Sequence, residues 1–129
     1  MFIKKINHID YDSGEADIIV SDGEYELLCY CALIQESILK NICDINEIES
    51  FLCANIRRID TSSYLVQKNN GYYSYHLQGA VISSSERIVC IGDIFIKLDI
   101  PLPKDICNHE FIEFDVVRLD CSIKSRSDN

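Results

Sequence analysis

Asp22-Gly23 sits between two runs rich in β-branched and aromatic residues, 16–20 and 25–33, and this commits the start of the chain to a β-hairpin. Glycine supplies the positive φ that tight hairpin turns need, and the aspartate side chain bonds to the backbone that follows it. Similar punctuation recurs at Asp12-Ser13-Gly14, Asn69-Asn70-Gly71, Gly92-Asp93 and Asn108-His109. Residues 2–9 read as a first strand. Ile6 breaks the alternation set by Ile3 and Ile9, so a bulge is expected there. Three antiparallel strands before residue 35 make a meander.

The next segment reads differently. Ile45, Ile48, Leu52, Ile56 and Ile59 recur at spacings of three and four, and Phe51 widens that stripe. Asp44 and Glu47 have capping-box spacing, and Arg57 and Arg58 fall where a helix dipole favours cations. The spacing predicts one helix over 45–58, preceded by a helical turn or loop at 37–43. Strands follow at 64–68, 72–83, 87–91, 94–98 and 110–123. Gly79 marks a bulge or sharp bend in the second of these, and a register change is expected near Val116-Val117. Alternation in 72–83 places Tyr73, Tyr75 and Leu77 on one face and Tyr72, Ser74 and His76 on the other.

The fold class expected is α+β and β-rich. An antiparallel, strongly bent sheet or a small half-closed barrel would carry one helix between the meander and the later strands. The order of elements is similar to that of an oligonucleotide/oligosaccharide-binding barrel. The chain has 129 residues, which suits one domain over 1–123 with a frayed polar tail at 124–129.

Seven cysteines (Cys29, Cys31, Cys43, Cys53, Cys90, Cys107 and Cys121) lie mostly in apolar runs. The odd count and the absence of a signal-peptide pattern point to a reducing cytoplasm and free core thiols. No apolar stretch approaches the ~20 residues needed to cross a bilayer.

Net charge is −9, and it is uneven: residues 1–60 carry twelve acids and five bases. That sign argues against direct contact with nucleic acid or an anionic membrane and favours a basic protein partner. Asp10, Asp12, Glu15, Asp17, Asp22, Glu24 and Glu26 follow one another with no base between them. The residues expected to meet a partner are Asp10, Asp12, Asp17, Asp22, Glu24 and Glu26, together with Tyr72, Tyr73 and Tyr75, since tyrosines bring large area and a polar tip to interfaces.

Catalytic chemistry finds little footing. His8, His76 and His109 are accompanied by no nucleophile motif. Cys29 and Cys31 share a strand face but lack a second ligand pair at zinc spacing. The five glycines form no phosphate cradle before a helix. No cofactor is expected. The sequence thus predicts a non-enzymatic interaction or inhibitor protein, most like a small acidic bacterial immunity protein that neutralises a basic toxin or nuclease. A ligand-binding or enzymatic barrel and a subunit of a homo-oligomer are the alternatives.

Overall fold

The computed structural model describes residues 1–10, 12–32 and 43–125. These form eleven strands: β1 (Phe2–Asp10), β2 (Glu15–Ser21), β3 (Glu26–Cys31), β4 (Cys43–Phe51), β5 (Ala54–Arg58), β6 (Leu65–Lys68), β7 (Tyr75–Ser83), β8 (Ile88–Ile91), β9 (Ile94–Lys97), β10 (Phe111–Val116) and β11 (Arg118–Ser125). The strands join in one mixed sheet with the order β1-β2-β3-β11-β4-β9-β8-β7-β10-β5, and β6 pairs with β7 off that path. The sheet is not closed into a barrel. Neighbours are antiparallel except at β3/β11 and β4/β9.

The helix expected over 45–58 is absent; β4 and β5 occupy that stretch. The helical spacing has another cause. Ile123 pairs with Ile45 and Ser122 with Glu47, so Asn46 is an extra residue in β4. That bulge puts Ile45 and Ile48 on the same face although they are three apart, and both pack on the core. Leu52 (φ 53°) and Asn55 (φ 58°) then break the stripe with left-handed backbone. The turn between the strands is held by a residue far away in sequence. Asp99 accepts from Ser50 Oγ (2.5 Å) and from the backbone N–H groups of Leu52 (3.0 Å) and Cys53 (3.1 Å). Isoleucine suits a pleated surface better than a helix, so tertiary pairing wins over the cap signal. The segment 37–43 lies outside the described residues except for Cys43, which opens β4.

Other expectations meet the coordinates more closely. The register of β1 on β2 shifts between Ile3 and Lys5, and this bulge lets both Ile3 and Ile6 pack against the core. The register change near Val116-Val117 is a full break between β10 and β11. Tyr72 and Tyr73, expected on a strand, lie instead in the β6–β7 loop, closed by Asn69 N–H to Ser74 C=O at 3.0 Å. Lys124 and Ser125, expected in the tail, pair with Asp44 and Cys43. Residues 126–129 lie outside the described residues.

β7 pairs with three strands. One edge pairs with β10 over Tyr75–Ala80; the other pairs with β6 over Tyr75–Gln78 and with β8 beyond Gly79. One core results, filled by residues such as Ile18, Leu27, Ile48, Leu77, Ile96, Phe114 and Leu119. Burying each such side chain contributes about 1.5–3 kcal/mol. Cys29, Cys31, Cys53, Cys90 and Cys121 are buried free thiols, and Cys107 is exposed. Burial pushes the Cys31 thiol up to about 11 and those of Cys53 and Cys121 up to about 12. Among the described residues no helix is long and apolar enough to cross a membrane.

A Cβ at Gly79 would lie 2.5 Å from the Cys90 carbonyl oxygen and 2.8 Å from Val89 Cγ1. Gly79→Ala is therefore expected to cost about 1–3 kcal/mol through overpacking. Thermal denaturation should show this as a Tm lower by roughly 4 °C per kcal/mol.

Candidate functional site

Alternation along β2 sends Ile18 and Val20 into the core and Asp17 to the outward face, between Asn7 of β1 and Tyr30 of β3. Asp17 is nevertheless buried, because the β6–β7 loop lies over it. Tyr72 Oη and Tyr73 Oη both donate to its carboxylate, at 2.6 and 2.5 Å. Two strong donors offset the cost of burying that charge. Both phenols are pushed to higher pKa, Tyr73 by burial and then by Asp17, and Tyr72 chiefly by its bond to Asp17.

The rings continue across the sheet. Tyr72 and Tyr73 meet edge to face at 4.7 Å, and Tyr73 meets Tyr30 at 5.9 Å. The Arg118 guanidinium lies 4.6 Å from the Tyr30 ring and 4.5 Å from the Phe51 ring. Asp120 fixes it through two oxygens, with Nε at 2.5 Å and Nη2 at 3.2 Å. That carboxylate raises the Arg118 pKa further. Val117 ties the row to the loop: its N–H donates to the Phe51 carbonyl at 3.1 Å, and its own carbonyl accepts from Ser74 Oγ at 3.4 Å. Tyr72 (59%) and Phe51 (39%) stay exposed at the two ends of this row, and Leu52 and Val117 are exposed apolar residues next to Phe51 in the chain and in its backbone bonding. Beside the row lies a depression of about 370 Å³ lined by Tyr30, Glu47, Glu49, Arg118 and Asp120. Register places Arg118 opposite Phe51, Asp120 opposite Glu49 and Ser122 opposite Glu47.

The acids expected to meet a partner are dispersed by the fold. Asp10 holds the β1–β2 turn by accepting from Asp12 N–H (3.0 Å) and Ser13 N–H (3.4 Å), and Asp12 is exposed in that turn. Asp22 closes the β2–β3 turn by accepting from Glu24 N–H (2.9 Å) and Tyr25 N–H (2.7 Å) through Oδ1. Its Oδ2 accepts from Asp93 N–H at 2.8 Å and so joins that turn to the β8–β9 turn. These donors, Asp93 first, hold the Asp22 carboxyl below its ordinary value. Glu15 accepts from Tyr30 Oη at 2.7 Å. Glu26 pairs with Lys4, which the neighbouring strand β1 brings into a stretch that has no base of its own. Glu24 is exposed. Tyr75 is buried, and its Oη accepts from Leu28 N–H at 2.8 Å, a donor the β3/β11 junction leaves over.

His76 and His109 are separate from this face. His76 Nδ1 lies 2.7 Å from Asp115 Oδ1, and its Nε2 lies 3.7 Å from Glu113 Oε2. Asn55 and then His76 hold the Asp115 carboxyl low. Among the described residues no serine, threonine or cysteine hydrogen-bonds to that imidazole. His109 is exposed in a turn at φ 75°, and His8 belongs to β1. Among the described residues no group of three or more His, Cys, Asp and Glu side chains is placed to hold a metal ion.

Arg118, Phe51 and Tyr30 were not singled out by the sequence. Arg118-x-Asp120 on one strand face was the available signal; the aromatic partners come from strands 67 to 88 residues away. No family model matches this chain, and neither the curated proteins nor the solved structures include one similar to it.

An asparagine at position 22 has one carbonyl oxygen for donors now shared between two. Asp22→Asn is expected to cost roughly 1–2 kcal/mol at pH 7. Because the folded carboxyl has the lower pKa, its contribution is present above about pH 4 and is lost as pH falls through the folded value. The gap between the two proteins in urea denaturation should therefore shrink below about pH 4.

Proposed function

We propose that this protein is a non-catalytic interaction domain that binds a basic protein partner through the outward face of β2, β3, β11 and β4. The row Tyr72–Tyr73–Tyr30–Arg118–Phe51 carries this reading. Tyrosine and arginine dominate interface hot spots. Here they are held in place by Asp17 and Asp120 before any partner arrives, so binding would forfeit little side-chain freedom.

The charge of the partner follows from the ladder beside the row. Glu49 and Asp120 are directly opposite across β4 and β11, and like charges in that relation destabilise a sheet. Arg118 already serves Asp120, while Glu47 and Glu49 are exposed, and Lys97, opposite Glu49 across β4 and β9, forms no ion pair with it. A lysine or arginine from outside would relieve that repulsion, and the net charge of −9 would speed its approach. The biological setting that suits a small acidic domain of this kind is immunity or inhibition: masking a basic toxin or nuclease in the cytoplasm.

The test begins with the intact protein as bait in lysate of its source, followed by purification of the captured partner. In binding measurements, Tyr72→Ala and Phe51→Ala are each expected to weaken affinity by about tenfold or more. Glu49→Lys should slow association and flatten its dependence on salt. Asp60→Lys, a charge-matched change of an exposed acid away from this face, should leave affinity within about threefold. Equal losses at Glu49 and Asp60 would leave net charge as the whole effect and refute the assignment of this face.

A further inference from the structure

A second depression, of about 670 Å³, opens on β4, β9 and the β7–β8 turn. Its size falls within the range of small-molecule sites. Met1, Phe95 and Leu102 give it apolar walls, and Met1 and Phe95 are exposed there.

Two cations line it, Arg87 and Lys97, both half-buried. They are near neighbours across the β8–β9 ladder, where Ile88 pairs with Lys97 and Leu98 N–H donates to the Arg87 carbonyl at 2.8 Å. Among the described residues neither takes part in an ion pair, although Glu49 stands opposite Lys97 across β4 and β9; Arg118, the other half-buried cation described, holds a carboxylate. In a chain with 21 acids and 12 bases, two half-buried cations that close no ion pair differ from Arg118, which Asp120 holds through two oxygens. Arg87 also has φ 61°. A glycine would take that left-handed backbone freely, so a side chain is kept there against local preference. Strained positions of this kind cluster at ligand sites.

We propose that this groove binds a small amphipathic monocarboxylate, with its head between Arg87 and Lys97 and its tail along Phe95, Met1 and Leu102. Two cations suit a carboxylate. Glu47 and Glu86 also line the groove, and their charge penalises a dianion such as phosphate, which restricts the head to a single negative charge. The inference does not rest on the partner-binding face, although Glu47 borders both depressions and Lys97 stands opposite Glu49.

Octanoate is the probe, with octanol, octylammonium and inorganic phosphate as comparisons, read by calorimetry and by chemical-shift changes at Phe95 and Lys97. Octanoate is expected to bind saturably and at least about tenfold tighter than any of the three, as a charge-assisted head contact requires. Arg87→Gly should keep or raise Tm, since it relieves the positive φ, while weakening octanoate by about tenfold. Lys97→Met, which keeps the apolar stem, should weaken it similarly. Equal binding of octanoate and octanol, no saturable octanoate binding, or an Arg87→Gly protein that binds octanoate like wild type would each overturn the proposal.

Discussion

The core depends on the junction at β7, where three strands converge: β10 along one edge, and β6 and then β8 along the other. The change of partner from β6 to β8 at Gly79 needs a backbone with nothing on Cα, because the Cys90 carbonyl fills that space. The same strand carries Tyr75, whose hydroxyl accepts from Leu28 N–H of β3. The loop preceding Tyr75 is thereby carried over β2, and its two phenols come down on Asp17. The aromatic row is thus a product of chain topology and not of any local run of residues.

Carboxylates in this protein do more internal work than the sequence suggests. Asp22 knits two hairpin tips, Asp99 shapes the β4–β5 turn, and Asp17 anchors a loop. Each satisfies several donors that would otherwise be unpaired, and burial of a carboxylate is tolerable under that condition. The acids left for other tasks are those on strand faces, Glu47 and Glu49 above all. Net charge alone did not distinguish the two kinds.

What the sequence made legible was local. Asp22-Gly23 marked a real hairpin, Ile6 exposed the β1 bulge, and Val116-Val117 marked a break, because each depends on neighbours in the chain; at Gly79 the ladder with β10 runs on without the expected bulge, and the glycine is there for the close Cys90 carbonyl. What it hid was set by distant pairing. Ile45 and Ile48 looked helical because a bulge imitates a three-residue period, and only β11 shows that Asn46 is the extra residue. Tyr72 and Tyr73 looked like strand residues because their loop is ordered by Asp17, more than fifty residues earlier. The acidic hairpin looked bare of cations because Lys4 lies on the neighbouring strand. Arg118 could not be placed between Tyr30 and Phe51 without knowing that β11 inserts between β3 and β4.

That insertion has a consequence for biosynthesis. β11 is the last strand to be made, yet it separates two strands that precede it by some seventy residues or more. Until it leaves the ribosome, β3 and β4 each present an open edge, and Leu27, Cys29 and Ile48 lack the cover that Leu119 and Cys121 later provide. Open edges and uncovered apolar residues are what chaperones hold and what aggregates recruit. A chain built this way assembles slowly, through long-range pairing, and completes its fold only after synthesis of the domain has ended.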